Sequence, residues 1–181
     1  MRYKNNIMKK IVSLSVLFLL VFSSVNSQKV YSTRNGQISF ISPTDEDVKA
    51  VNNELTSRLS DKGTMSFSCL IKGFKFAYAE MQEHFNDEYL QSNQFPRADF
   101  KGTITNIKEV VFTKNGTYKA IVKGDLTLHG ITKNITVKGT IAVKDGKISA
   151  KASFPIIMKD FKVDASSVTE KVKAEINCIY Q

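Results

Sequence analysis

The sequence predicts an all-β protein, a single antiparallel β-barrel of about eight strands carrying one short helix. Three observations lead there. Apolar and polar residues alternate strictly through the second half of the chain, Gly-containing pairs punctuate the alternation, and a single segment repeats its apolar residues at helical spacing. Alternation at period two marks a strand with one buried face, and positive-φ residues between two such runs mark a hairpin.

The clearest run sets Tyr118, Ala120, Val122, Gly124, Leu126 and Leu128 against Lys119, Ile121, Lys123, Asp125 and Thr127. A second sets Ile131, Lys133, Ile135, Val137, Gly139, Ile141 and Val143 against Thr132, Asn134, Thr136, Lys138 and Thr140. In a third, Ile148, Ala150, Ala152, Phe154 and Ile156 oppose Lys147, Ser149, Lys151 and Ser153. Asn115-Gly116, His129-Gly130 and Asp145-Gly146 read as the tight turns beside them. Earlier, Asp61-Lys62-Gly63 joins a strand over 51–59 to one over 64–74, and Gly36 divides two short opening strands. The parity of 100–112 changes near Asn106, which reads as a bulge.

Tyr78, Met81, Phe85 and Tyr89 recur at three and four, so 78–90 is expected to be helical, with Pro96 ending the helix. There is no second helical stripe to cover an open sheet. Closure into a barrel is then the simplest way to leave no edge strand unpaired.

Residues 1–27 read as a signal peptide. Arg2, Lys4, Lys9 and Lys10 precede an apolar run over 11–22, and Val25 and Ser27 stand where a signal peptidase cutting before Gln28 would read them. The apolar run is shorter than the ~20 residues that span a bilayer, and neither cysteine follows it to carry a lipid anchor. The expected product is one soluble domain over 28–181, periplasmic or secreted, with no stable membrane anchor. Of 26 basic residues four lie in the leader, leaving 22 against 17 acidic ones. The lysines are spread along alternating strands and not gathered into a patch, so nucleic acid is not an expected partner.

Cys69 and Cys178 are the whole cysteine inventory, both on the apolar parity of their strands. Two readings are open, a disulfide stapling an exported barrel or two small buried hydrophobes. His84 and His129 are the only histidines, and no nucleophile elbow, phosphate loop or zinc-binding helix accompanies them. No enzymatic activity, metal or other cofactor is expected. Glu80, His84 and Asp87 or Glu88 could share a helix face, but three loosely spaced ligands rarely close a metal site, and a solvated face is the simpler reading. His129 is expected to fix its own hairpin by a local hydrogen bond.

The inward parity is short of bulk at Ala120, Gly124, Gly139, Ala150 and Ala152. A small barrel is filled only when every layer carries large side chains, so these positions leave space inside unless facing residues fill it. Phe67, Tyr118, Val122, Leu126 and Ile135 would line that space, with Val137, Ile141, Phe154 and Ile156. Such walls suit an apolar ligand.

Two stretches resemble the YceI-like family of polyisoprenoid-binding, lipocalin-like barrel proteins. The first holds Phe74-Lys75-Phe76, then residues 80–86, Glu-Met-Gln-Glu-His-Phe-Asn, and 95–102, Phe-Pro-Arg-Ala-Asp-Phe-Lys-Gly. The second is 124–133, Gly-Asp-Leu-Thr-Leu-His-Gly-Ile-Thr-Lys. The resemblance implies an exported bacterial barrel that binds or transports an isoprenoid or similar long-chain lipid in its cavity. With 78–95 covering the mouth, Phe74, Phe76, Met81 and Phe85 join the expected ligand-binding set. The competing expectation is a filled barrel whose outer surface meets a partner in the cell envelope.

Overall fold

In the computed structural model, which describes residues 28–166 and 168–181, the alternating runs become eight strands. They are β1 (Val30–Ile41), β2 (Lys49–Ser60), β3 (Thr64–Leu70), β4 (Arg97–Ile104), β5 (Gly116–Leu128), β6 (Ile131–Lys144), β7 (Lys147–Ile157) and β8 (Lys171–Tyr180). Each pairs antiparallel with the next, and β8 returns to β1 from Gln37↔Asn177 to Ile41↔Lys173 to close the barrel. The expected signal peptide lies outside the described residues.

The hairpins at His129-Gly130 and Asp145-Gly146 form as expected, all four residues at positive φ, and Gly63 turns β2 into β3. Asn115-Gly116 does not make a turn. Gly116 opens β5, and the Asn115 side chain clamps the neighbouring hairpin, accepting from the Asp145 amide at 2.9 Å and donating to Asp145 Oδ1 at 3.0 Å. The parity change at Asn106 is the end of β4, not a bulge. Beyond Ile104 the Asn106 side chain takes the place of strand backbone, accepting from the Ile121 amide at 2.8 Å and donating to the Lys119 carbonyl at 3.0 Å. Gly36 does not split β1 either; it sits between two register shifts in one continuous strand, where its missing side chain admits Cys178 Sγ.

The two ends of the barrel differ. At the lower end the β4–β5 connection folds beneath the strands, placing Ile107 against Gly63, burying Val110, and stacking Phe112 on Tyr31 with ring centroids 5.5 Å apart. Leu59, Ile104, Val143, Ile148 and Tyr180 fill the space above that floor, with Tyr180 Oη and Ser57 Oγ 2.9 Å apart in a buried hydrogen bond. At the upper end β3 stops at Leu70, four residues short of the expected 74, because the chain turns through Ile71–Gly73 toward the helix. Helix α1 (Ala79–His84) continues as a π-turn over Phe85–Tyr89 and stops at Leu90, before Pro96, since Gln91 adopts a left-handed φ of 44°. No described helix is long and apolar enough to cross a membrane.

Cys69 and Cys178 are both free and buried, so the disulfide reading gives way to that of small buried hydrophobes. Their strands, β3 and β8, are separated by β2 and β1, three strand spacings or about 14 Å along the wall. A disulfide needs Cα atoms within about 7 Å.

Candidate functional site

The upper half of the barrel is hollow. A cavity of about 250 Å³ runs from the helix and the β7–β8 connection down to Phe100 and Ala120, its walls almost wholly apolar. Twelve of the thirteen residues expected from the sequence line it: Phe67, Phe74, Phe76, Met81, Phe85, Val122, Leu126, Ile135, Val137, Ile141, Phe154 and Ile156. Tyr118 does not. It stands at the filled lower end, where its hydroxyl donates to the Lys114 carbonyl at 2.9 Å and its ring covers Gly116.

The small residues divide by what faces them. Ala120, Gly139, Ala150 and Ala152 border the cavity. Gly124 leaves no space, because the Phe100 ring lies across both it and its partner Gly102, with Cζ 2.7 Å and 2.6 Å from where their Cβ atoms would stand. Phe100 therefore fills the space in front of Gly102 and Gly124 and forms part of the cavity wall on that side.

At the top, Phe40 on β1 gathers the lid. Its ring centroid lies 5.4 Å from Phe74, 5.7 Å from Phe76 and 5.6 Å from Phe85, and Phe76 and Phe85 are 4.9 Å apart. These contacts seat the π-turn over the mouth, with Phe85 and Leu90 buried beneath it. Phe40, Leu55, Met65 and Ile71 also line the cavity and were missed. Phe40 shares parity with Ile38 and was recoverable from that. Leu55 was hidden because inward parity in β2 shifts between Asn52 and Leu55, opposite Gly36. Met158, Ala165, Val168 and Thr169 come from the β7–β8 connection, which has no periodicity to read.

The YceI-like domain family matches residues 21–179. The chain belongs to that family. A UPF0312 protein of Pseudomonas fluorescens is 39% identical over 64 residues, which cover 35% of this chain and only 31% of that relative. Among solved structures, a polyisoprenoid binding domain from Saccharophagus degradans, implicated in plant cell wall breakdown, superposes with a TM-score of 0.73 at 12% identity. That match covers 86% of this chain and 99% of the other. Burkholderia cenocepacia BcnA superposes with a TM-score of 0.68 at 15% identity, over 81% of this chain and 96% of that one. At these identities the likeness shows a shared fold.

In this YceI-like barrel the Leu-His-Gly turn acts across the fold and not locally. His129 Nδ1 donates to the Phe161 carbonyl of the β7–β8 connection at 3.1 Å, and its Nε2 lies 3.4 Å from Gln91 Oε1. The Phe95 ring meets the imidazole edge-on at 4.6 Å and packs against Gly130, where a Cβ would lie 2.6 Å from it. One turn thus ties together the lid segment and the β7–β8 connection. The expected local hydrogen bond is replaced by these long-range ones.

His84 borders the cavity from the lid, with Nδ1 2.9 Å from Glu88 and Nε2 3.7 Å from Glu80. The Glu88 carboxylate raises its affinity for a proton above that of an ordinary imidazole. No cluster of three metal-ligating side chains occurs among the described residues. Burial pushes the Cys69 thiol up to about 12, aided by the Asp99 carboxylate, and the Cys178 thiol up to about 11. Neither sulfur is a ready nucleophile at neutral pH.

Proposed function

We propose that this protein is a non-catalytic, exported carrier that holds an isoprenoid or another long-chain amphiphile in the upper cavity. The observation that carries the reading is the chamber itself, lined by phenylalanine and aliphatic side chains from the lid down to Ala120. Each methylene that leaves water for such a chamber gains ~0.8 kcal/mol, so ten give about 8 kcal/mol before the cost of association. Chain length and not hydrogen bonding would set the affinity. The polyisoprenoid-binding description of the Saccharophagus degradans domain, which shares the fold, supports the same ligand class. Neither histidine is arranged for acid–base work, since His129 is engaged in holding loops and His84 pairs with exposed carboxylates.

Organic extraction of the purified protein followed by mass spectrometry is expected to release a long-chain lipid, and the stripped protein is expected to take up cis-parinaric acid saturably. Finding neither would reject the carrier reading. Export is tested separately. The protein recovered from the periplasm or medium of a producing bacterium is expected to begin at Gln28, and retention of 1–27 in a cytoplasmic product would overturn that part.

A further inference from the structure

We infer that the polar end of a bound amphiphile leaves the barrel through a side window between β6 and β7 and rests against Lys138 and Lys151 at its sill. The inference rests on the carrier reading and deepens it by giving the ligand an anionic head group.

The window is written in the strand pairing. The β6–β7 ladder climbs from Lys144↔Lys147 to Gly139↔Ala152 and stops. Above that pair β6 continues to Ile131 bonded only to β5, and β7 continues to Ile157 bonded only to β8. The two strands face each other unpaired over five β7 residues, about 17 Å of wall. A similar parting opens between β2 and β3 above Thr56↔Ser68, but there the chain returns to fill it. Val51 and Lys75 exchange backbone hydrogen bonds of 3.1 and 2.8 Å, and Asn52 donates to the Leu70 carbonyl at 2.9 Å. Among the described residues no hydrogen bond crosses from β6 to β7 above the sill. The contact between His129 and Phe161 frames the opening from above.

Burial falls off above the sill. Ile141, Val143, Ile148 and Ala150, on the inward parity below it, are buried, and so is Val137 just above it on β6, whereas Ile135, Phe154 and Ile156 are half-buried and inward-parity Lys133 is exposed. Pro155 stands on the β7 lip, and a residue without an amide hydrogen is suited to an edge that has no neighbour.

Outside the sill lies a polar depression of about 510 Å³ whose lining includes Lys138, Lys151 and Ser153, and which shares Gly139, Thr140 and Ala152 with the cavity. Glu175, the carboxylate of that depression, is held by Lys173 at 2.6 Å. Neither Lys138 nor Lys151 has an ion-pair partner among the described residues. Two uncompensated cations beside the opening of an apolar chamber complement a single-chain amphiphile with a carboxylate or phosphate head.

Two measurements test this. At low ionic strength the wild type is expected to bind cis-parinaric acid about fivefold more tightly than cis-parinaryl alcohol, and the gap should close in the K138Q/K151Q variant. The chain has no tryptophan, so Ser153→Trp supplies a single reporter on the exposed face of the β7 lip. Stearate carrying a nitroxide near its carboxylate should quench that tryptophan more than stearate carrying it near the methyl end. A gap that survives loss of both lysines, or stronger quenching by the methyl-end label, overturns the window while leaving the carrier reading intact. Failure of the wild type to take up any of these probes overturns both.

Discussion

Replacing Ala152 by phenylalanine is expected to abolish lipid uptake while leaving the barrel folded. Ala152 borders the cavity from β7, opposite Gly139 of β6 and beside Ile176 of β8, and is only half-buried because the space in front of it is open. A phenyl ring needs a cavity of about 150 Å³, and the whole chamber measures about 250 Å³. A ring projecting there displaces about five methylenes of ligand, or about 4 kcal/mol, close to a thousandfold in affinity. The ring itself is buried against apolar walls, so thermal stability should not fall. Titration with cis-parinaric acid alongside a melting curve reads both quantities. A folded variant that still binds at wild-type affinity would place the ligand elsewhere. Gly139 borders the same space but cannot serve, since a Cβ there would stand 2.5 Å from the Lys151 carbonyl oxygen and push on the wall itself.

The contrast between these two neighbours marks what was legible in the sequence. Strands β5, β6 and β7 were readable because both faces of each run are consistent and the turns between them carry residues that tolerate positive φ. Strand β2 was read over 51–59, close to its Lys49–Ser60, and β1 only as two short pieces; which of their residues face inward was hidden, because the register shifts around Gly36 break parity in each. Asn106 and Asn115 misled for a shared reason. Their side chains bond to backbone of other elements, Asn106 to β5 and Asn115 to the β6–β7 turn, so their turn-forming character is used across the fold. His129 acts likewise on Phe161 and Gln91.

The cavity was half legible. Small inward residues announce that side chains are missing from a layer, and at Ala120, Ala150 and Ala152 the layer is empty. Periodicity is silent on where a neighbouring large side chain leans, which is what decides Gly124. The lid residues Phe74, Phe76, Met81 and Phe85 were reached through the helical stripe and the family resemblance, while the β7–β8 connection offered neither kind of signal. The side window depends on where a ladder stops, a property of strand twist and splay that no local pattern records.

Gly124→Ala should be far more disruptive than its single methyl suggests. Gly124 pairs with Gly102 across β4 and β5, and the added Cβ would stand 2.3 Å from the Lys101 carbonyl oxygen, 2.4 Å from Gly102 Cα and 2.7 Å from Phe100 Cζ. Swinging the Phe100 ring aside relieves only the last of these contacts. The first two are to backbone of the paired strand, so β4 and β5 must part and lose ladder hydrogen bonds. Overpacking usually costs 1–3 kcal/mol, and with no side chain free to yield the expected loss is about 3 kcal/mol, a fall in melting temperature of about 10 °C. Gly146→Ala is the reference, because nothing lies within 4 Å of its Cβ position and only its positive φ of 77° resists a side chain. That strain costs about 1 kcal/mol. If the two variants melt together, Phe100 and the β4 backbone do not close over Gly124.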